Sequence, residues 1–181
     1  MRLIINATSK TIPAPISVPG GPVRGAITEV TPPRERLAAR QDRPRLLVLG
    51  GSLGAQALNE TVPQALAQLS AEQRPEVRHQ AGMKHVDAAH AAYQRAGVAA
   101  QVDAFVEDMA AAYAWADLVV CRAGALTVAE LTAVGVGAIL VPYPHAVDDH
   151  QTGNARYLVN AGAALLIPQT ELDADALAAL L

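Results

Sequence analysis

The chain has 181 residues, 51% of them hydrophobic, with 14 basic and 17 acidic side chains and a formal charge of −3. A mean hydropathy of +0.20 excludes a disordered or collagen-like chain, because such chains lack the apolar surface that offsets the entropy of folding. The single cysteine, Cys121, excludes an intramolecular disulfide and a cysteine-based zinc site. No apolar stretch reaches the ~20 residues of a membrane span, and the first nine residues lack the sustained apolar region of a signal peptide. We therefore expect a soluble cytoplasmic domain.

Basic residues and prolines are concentrated near the start of the chain. Residues 1–45 hold eight of the 14 Lys and Arg, three of the 17 Asp and Glu, and seven of the 12 prolines. Because proline fixes φ and lacks a backbone donor, we expect an extended lead-in at 1–44, followed by a folded domain at 45–181. The remainder of the chain is acidic. This argues against nucleic-acid binding, since phosphate contacts need cations.

From residue 45 onward, six short apolar runs alternate with stretches of helical periodicity. Runs of this length are typical of strands buried on both faces. The alternation predicts an α/β fold, with a Rossmann-like parallel sheet and helices on both of its faces. The predicted strands are residues 46–49, 77–80, 98–104, 118–121, 138–141 and 164–167.

Helices are predicted between these strands. The first follows an apolar face of Leu and Val at helical spacing, and Pro63 predicts a kink or a restart near Thr61. Gly97 is expected to end the second helix, and Asp108 to cap the third. The second helix is predicted at residues 84–96, and the helices after the third at residues 126–134, 150–160 and 173–181.

Ligands of such sheets bind at the carboxyl ends of the strands. The first loop there is Gly-Gly-Ser-Leu-Gly-Ala at 50–55, directly between a strand and a helix. Glycines let the backbone approach a ligand, and a helix N-terminus presents free amides to an anion, so a diphosphate is the natural occupant. The alternative is a tight turn without a ligand. The loop is neither a Walker A loop nor a dinucleotide-binding fingerprint.

The fourth strand is followed by Arg122, Gly124 and another helix, with Glu130 near the first turn. A carboxylate beside a nucleotide commonly accepts hydrogen bonds from ribose hydroxyls. Alternatively, Glu130 only complements the helix dipole. Arg122 either offsets phosphate charge or pairs with an acidic side chain on the surface.

The loop after the fifth strand leads into a polar cluster that opens the next helix. His150, Gln151 and Asn154 can hold sugar hydroxyls, which need paired donors and acceptors. Asp148 and Asp149 with His150 could instead bind a metal, but no further ligand stands at a known spacing, so we expect no metal.

The remaining histidines and the cysteine have weaker claims to a role in chemistry. His145 is a candidate general base, although an exposed loop histidine is more often inert. Three further histidines lie on predicted elements without polar neighbours and are interpreted as structural: His79, His85 and His90. Cys121 is interpreted as a small core residue rather than a nucleophile.

Four stretches of the chain carry a family resemblance: Gly-Gly-Ser-Leu-Gly-Ala at 50–55, Phe-Val-Glu-Asp-Met at 105–109, Cys-Arg-Ala-Gly-Ala-Leu-Thr-Val-Ala-Glu at 121–130 and His-Gln-Thr-Gly-Asn-Ala at 150–155. Together they resemble the carboxyl half of the MurG family of bacterial transferases, from about residue 22 to near the C-terminus. The resemblance implies a GT-B fold of two Rossmann-like halves, in which the carboxyl half binds the donor. It also implies inverting transfer of N-acetylglucosamine from UDP to the C4 hydroxyl of lipid I, without a required metal or other cofactor.

The same resemblance implies roles for individual residues. Ser52 and its glycines would hold the donor diphosphate, and Val106 would meet the uracil through its backbone. Glu130 would bind the ribose hydroxyls and Gln151 the transferred sugar, while Arg24 would reach the nucleotide from an interdomain linker. The full set of expected contacts with UDP-N-acetylglucosamine is Arg24, Gly51, Ser52, Gly54, Val106, Arg122, Ala125, Leu126, Thr127, Glu130, His150, Gln151 and Asn154.

Residues 1–15 do not resemble the family's amino-terminal domain, which carries the acceptor site, a proposed catalytic histidine and a membrane-binding patch. We therefore expect catalysis, lipid I binding and peripheral attachment to the cytoplasmic face of the inner membrane to depend on that half or on a partner. Two alternatives stay open. One is the donor-binding subunit of a split lipid-linked N-acetylglucosaminyltransferase. The other is another UDP-sugar enzyme such as a 2-epimerase, with Asp148 and Asp149 as the candidate acid–base groups.

Overall fold

The fold is organised around a six-stranded parallel sheet. The computed structural model of the chain describes residues 23–38, 40, 42–51, 55–144 and 150–181. The strand order is β3-β2-β1-β4-β5-β6, and every neighbouring pair is parallel. The strands are β1 (Arg45–Leu49), β2 (Glu76–Gln80), β3 (Gln101–Asp103), β4 (Leu118–Cys121), β5 (Gly137–Leu140) and β6 (Ala164–Leu166).

Helices connect successive strands and precede the first one. A short 3-10 helix at Gln169–Glu171 follows β6. The α-helices are α1 (Gly25–Thr28), α2 (Pro33–Ala38), α3 (Gln56–Ala67), α4 (Val86–Ala96), α5 (Met109–Trp115), α6 (Ala125–Val134), α7 (His150–Asn160) and α8 (Ala174–Leu180). Among the described residues, no helix is both long and apolar enough to cross a membrane.

The side chains of the central strands alternate between two hydrophobic clusters, one on each face of the sheet. In β1, Leu46 and Val48 join the cluster beneath α3, α4 and α8, whereas Leu47 and Leu49 join the cluster beneath α5, α6 and α7. This alternation follows from the two-residue period of a strand. Because both faces are covered, the central strands are apolar at nearly every position, as the sequence predicts. The Rossmann-like α/β fold class is confirmed.

Two predictions about elements are wrong. Of the kink or restart expected near Thr61, the restart is wrong: the helix is continuous over Gln56–Ala67, with Pro63 buried inside it. Proline removes one backbone donor, and the buried contacts of Leu58, Val62 and Leu66 hold the helix together across it. The strand expected at 98–104 is only Gln101–Asp103, since it is an edge strand that pairs with β2 alone.

The lead-in also differs from the extended chain that the prolines predict. Within 23–38 the structure forms α1 and α2, and Ile27 of α1 is buried in the cluster beneath α5 and α6. Residues 1–22 lie outside the described residues, and the proposed division at residue 44 stays a prediction.

Arginines from this segment bind the carbonyl ends of two helices. Arg36 donates to the carbonyl of Tyr113 at 3.2 Å and to that of Val134 at 2.9 Å. Arg40 donates to the carbonyl of Trp115 at 2.8 Å. A cation at a helix C-terminus satisfies unpaired carbonyls and complements the dipole. Arg36 and Arg40 therefore attach the lead-in to the domain.

Candidate functional site

The carboxyl edge of the sheet brings together the loops that the sequence singles out. After β1 the chain turns at Gly50 and Gly51, and Gly51 is exposed with a φ of 79°. This left-handed conformation favours glycine, because a side chain there is strained. Helix α3 begins immediately beyond Ala55. The predicted contacts Ser52 and Gly54 lie outside the described residues.

A second helix N-terminus lies at the end of β4. Gly124 is the N-cap of α6 and has no side chain to cap the helix. The first amides of a helix have no carbonyl partner within it, so those of Ala125, Leu126 and Thr127 are available to an anion. Leu126 is exposed, whereas Ala125 and Thr127 are partly buried.

Glu130 lies in the second turn of α6 with only 3% of its surface exposed. One carboxylate oxygen, Oε2, accepts a hydrogen bond of 3.0 Å from the hydroxyl of Tyr113 on α5. The other, Oε1, accepts one of 3.2 Å from Nη2 of Arg24. The dipole field falls off within the first turn of a helix, so dipole complementation accounts poorly for a carboxylate at this depth.

Burial raises the pKa of the Tyr113 hydroxyl, and the neighbouring Cys121 and Glu130 add to the effect. The hydroxyl therefore stays protonated and donates its hydrogen to Glu130. The Arg24 side chain is 58% exposed, in contrast to 5% for that of Glu130. The carboxylate thus has one fixed, buried partner and one partner at the surface.

Arg122 pairs with no acidic side chain among the described residues, which leave out Asp148 and Asp149, so both of its predicted roles stay predictions. Its guanidinium donates to the carbonyl of Val141 at 3.1 Å and to Oε1 of Gln169 at 2.6 Å. It also lies over the Tyr143 ring, 5.5 Å from the centroid. Burial lowers the pKa of Arg122, although the group remains a cation. The side chain ties together the segments that follow β4, β5 and β6.

The start of α7 contacts the same loops. Gln151 accepts a hydrogen bond of 2.9 Å from the backbone amide of Tyr143. Asn154 donates one of 3.1 Å to the carbonyl of Ala123, directly before the N-cap of α6. His150 is exposed at the first position of the helix. The sequence correctly predicts a polar helix start here, and the structure brings it beside the loop that follows β4.

The acidic residues and the loop histidine weighed for metal binding and acid–base chemistry are not described. Asp148, Asp149 and His145 lie outside the described residues, so those hypotheses stay untested. Within the described part of the chain, no three potential metal ligands come together.

The loop after β3 also reaches the carboxyl edge. Val106 is partly buried against the cluster beneath α5 and α6, and Phe105 is 56% exposed. As predicted, Asp108 caps α5, accepting a hydrogen bond of 2.9 Å from the amide of Ala111. The backbone at Val106 is therefore held between the sheet and a capped helix.

His79 has hydrogen-bond partners on both ring nitrogens, whereas the sequence interpretation gives it no polar neighbours. The Tyr93 hydroxyl lies 2.9 Å from its Nδ1, and Oδ1 of Asn59 lies 2.9 Å from its Nε2. Asn59 in turn donates to the carbonyl of Ala81 at 3.1 Å. The neutral ring with its hydrogen on Nε2 satisfies every partner, and burial lowers the pKa of His79 to about 4. The histidine is structural, as predicted, but within a buried hydrogen-bond network.

Cys121 is a core residue, as the sequence predicts. It is buried in β4, and burial raises the pKa of its thiol to about 12. A thiol must ionise to act as a nucleophile, so this one is inert near neutral pH.

A groove of about 660 Å³ lies at the opposite, amino edge of the sheet. Arg43, Arg45 and Arg78 contribute to its lining, and the Arg78 guanidinium lies 4.3 Å from the centroid of the Trp115 ring. Asp42 and Glu76 lie within 3.8 Å of Arg45, so acidic neighbours offset part of its charge. Two edges of the sheet therefore differ in kind: one offers helix N-termini and glycine turns, the other arginines with carboxylate partners.

The fold and the carboxyl-edge loops define the class of protein. They form a Rossmann-like domain of the kind found in GT-B glycosyltransferases, with glycine turns and helix N-termini at the carboxyl edge of the sheet, where ligands of such sheets bind. The chain belongs to glycosyltransferase family 28, since the model for the C-terminal domain of that family matches residues 45–181.

Curated relatives give a more specific likeness. A protein of Dechloromonas aromatica is 62% identical over 159 residues, covering 88% of this chain and 45% of that protein. One of Azoarcus sp. is 61% identical over 162 residues, covering 90% of this chain and 46% of that protein. Both are named UDP-N-acetylglucosamine–N-acetylmuramyl-(pentapeptide) pyrophosphoryl-undecaprenol N-acetylglucosamine transferase. The chain thus spans less than half the length of these relatives.

Solved structures agree with this likeness. The crystal structure of Acinetobacter baumannii MurG matches with a TM-score of 0.77 and 43% identity, covering 85% of this chain and 44% of the other. A glycotransferase of kitacinnamycin matches with a TM-score of 0.56 and 25% identity, covering 78% of this chain and 36% of the other. The predicted resemblance to the carboxyl half of the MurG family is confirmed.

Proposed function

We propose that this chain is the donor-binding half of a transferase that moves N-acetylglucosamine from UDP-N-acetylglucosamine to lipid I, forming lipid II for peptidoglycan. The names of the relatives support this reading, because those proteins are 61% and 62% identical to this chain over the matched residues. The observation that carries it is the buried Glu130 carboxylate beside the open N-terminus of α6, at the carboxyl end of β4. The same names favour the lipid II-forming transferase over a 2-epimerase and over a split lipid-linked N-acetylglucosaminyltransferase of another kind.

In this proposal the donor diphosphate binds the glycine turn after β1 and the N-terminus of α3, with Ser52 as a further donor. Backbone amides aimed at a phosphate stabilise the charge that develops as UDP departs. The uracil meets the backbone at Val106. The transferred sugar lies against α7, whose Gln151 and Asn154 already contact the neighbouring loops. The remaining proposed contacts are Arg24, Gly51, Gly54, Arg122, Ala125, Leu126, Thr127, Glu130 and His150.

The ribose hydroxyls donate to Glu130 in this proposal. A carboxylate oxygen accepts more than one hydrogen bond, so the bond from Tyr113 leaves acceptor capacity for the ligand. Arg24 covers the other oxygen but is largely exposed. Its guanidinium can therefore move from Glu130 to the nucleotide when ribose binds. Arg24 then contacts the nucleotide from the side, as the resemblance implies.

Contact with lipid I and with the membrane belongs, in this proposal, to the partner half at the cytoplasmic face of the inner membrane. The chain beyond residue 45 holds 14 of the 17 acidic residues and six of the 14 basic ones. A surface with this charge is repelled by anionic lipids. Peripheral attachment is therefore expected through the other half or a partner protein.

Calorimetric titration of the 181-residue chain tests the proposal. We expect saturable one-to-one binding of UDP-N-acetylglucosamine and of UDP, and no binding of NAD at the same concentrations. NAD is the matched control, because it also carries a diphosphate and ribose but lacks uracil. A folded chain that binds none of these ligands, or that binds NAD as well as UDP, would contradict the proposal.

A further inference from the structure

Tyr113 is the one described side chain that meets Glu130 from inside the domain. It lies on α5, its ring is fully buried, and its hydroxyl donates to Oε2 at 3.0 Å. We propose that Tyr113 is a positioning residue for nucleotide binding, which fixes the Glu130 carboxylate so that Oε1 faces the ribose hydroxyls. This inference rests on the proposed function.

The two partners of the carboxylate differ in a way that suits this role. Glu130 has several rotatable bonds, and an unheld side chain loses rotamer freedom when a ligand binds. The buried Tyr113 hydroxyl fixes one oxygen before the ligand arrives, whereas the exposed Arg24 can leave the other. A pre-positioned acceptor lowers the entropy cost of binding.

The backbone of the two helices is also fixed. Arg36 donates to the carbonyl of Tyr113 near the end of α5 and to that of Val134 at the end of α6. Asp108 caps the other end of α5. Because α5 carries Tyr113 and α6 carries Glu130, these contacts hold the distance between hydroxyl and carboxylate. The tyrosine is therefore part of a rigid support and not a mobile side chain.

The alternative is that the Tyr113 hydroxyl stabilises the core without influencing the ligand. The two readings differ in what happens when the ribose hydroxyls are removed. If Tyr113 acts through Glu130, the Tyr113→Phe variant loses affinity for UDP but not for 2′,3′-dideoxyuridine diphosphate, which lacks the hydroxyls that Glu130 would bind. A general effect on the fold would weaken both ligands by the same factor.

The experiment measures the dissociation constants of UDP and of the dideoxy analogue for the wild-type chain and for variants. We expect the wild type to prefer UDP by at least about tenfold, since a hydrogen bond to a charged group is worth about 1.5–3 kcal/mol. Tyr113→Phe should reduce that preference to about threefold or less. Tyr93→Phe is the matched control, because it removes the hydroxyl of another buried tyrosine, one that contacts His79 instead. It should keep the wild-type preference.

A second variant covers the case in which Tyr113→Phe does not fold. 4-Aminophenylalanine at position 113 keeps a hydrogen-bond donor at the same place and is expected to retain the preference for UDP. Loss of the preference in this variant, when folded, overturns the inference, as does an unchanged preference in folded Tyr113→Phe. A folded wild type that binds neither ligand refutes the proposed function itself. A wild type that prefers UDP, with Tyr113→Phe unchanged, refutes only the role of Tyr113.

Discussion

Replacing Glu130 with Gln is expected to weaken binding of UDP-N-acetylglucosamine on the order of 30-fold. Hydrogen bonds to a carboxylate are roughly twice as strong as those to a neutral amide, so two ribose hydroxyls lose about 2 kcal/mol between them. That difference corresponds to about 30-fold in the dissociation constant. Calorimetric titration of the wild-type and variant chains measures it.

The direction of this change separates a direct contact from long-range electrostatics. Removing a negative charge near an anionic diphosphate favours binding if the carboxylate does not touch the ligand. Glu107→Gln is the matched control, because Glu107 is exposed on the loop after β3 at the same edge of the sheet. It should leave affinity unchanged or raise it slightly. Equal or higher affinity in Glu130→Gln would show that Glu130 holds Arg24 and Tyr113 but not the ribose.

Acid is expected to destabilise the domain through His79. Burial holds the pKa of this histidine at about 4 in the folded state, below the usual value of 6.5. Between these two pH values the unfolded chain binds a proton that the folded chain excludes, so the free energy of unfolding falls as the pH drops. The contribution of His79 is fully present above pH 6.5 and decreases by about 3 kcal/mol by pH 4.

Urea unfolding of wild type and of His79→Gln across this pH range isolates the effect from that of the carboxylates. Glutamine has a donor and an acceptor, like the neutral ring, but does not titrate. The difference in unfolding free energy between the two proteins should therefore change by about 3 kcal/mol from neutral pH to pH 4. His90→Gln, at an exposed position of α4, should show no such change. A constant difference for His79→Gln would mean that the buried ring accepts a proton as readily as a free one.

Most of the fold can be predicted from the sequence because its elements have strong local signals. The strand at Leu118–Cys121 and the helix at His150–Asn160 match the prediction to the residue. Pro63 misleads because the penalty of a proline is local, whereas the apolar face that holds its helix spans three turns. The lead-in misleads for the same reason: its prolines indicate extended chain, but Ile27 gains burial in the core.

The candidate site can be predicted only in outline. The rule that ligands bind at the carboxyl edge of a parallel sheet points to the loops after β1 and β4 and to Glu130, and the structure places them at that edge. Tyr113 stands at helical spacing on an apolar face, so its sequence context indicates core packing and not a hydroxyl donor. Which carboxylate that hydroxyl meets depends on how α5 packs beside α6. The hydrogen bonds from Arg36 to the carbonyls of Tyr113 and Val134 are not predictable from the sequence either, because any arginine of the basic lead-in could bind a helix C-terminus.

The central claim is that the donor binds at the carboxyl edge of the sheet, and amide chemical-shift mapping tests it most directly. Addition of UDP-N-acetylglucosamine to the ¹⁵N-labelled chain should shift the amides of Gly50 and Gly51, those at the start of α6 and those at the start of α7. Amides beside the arginine-lined groove at the opposite edge, such as Arg78 and Gln101, should stay in place. Shifts confined to that groove, with the carboxyl-edge amides unchanged, would contradict the account.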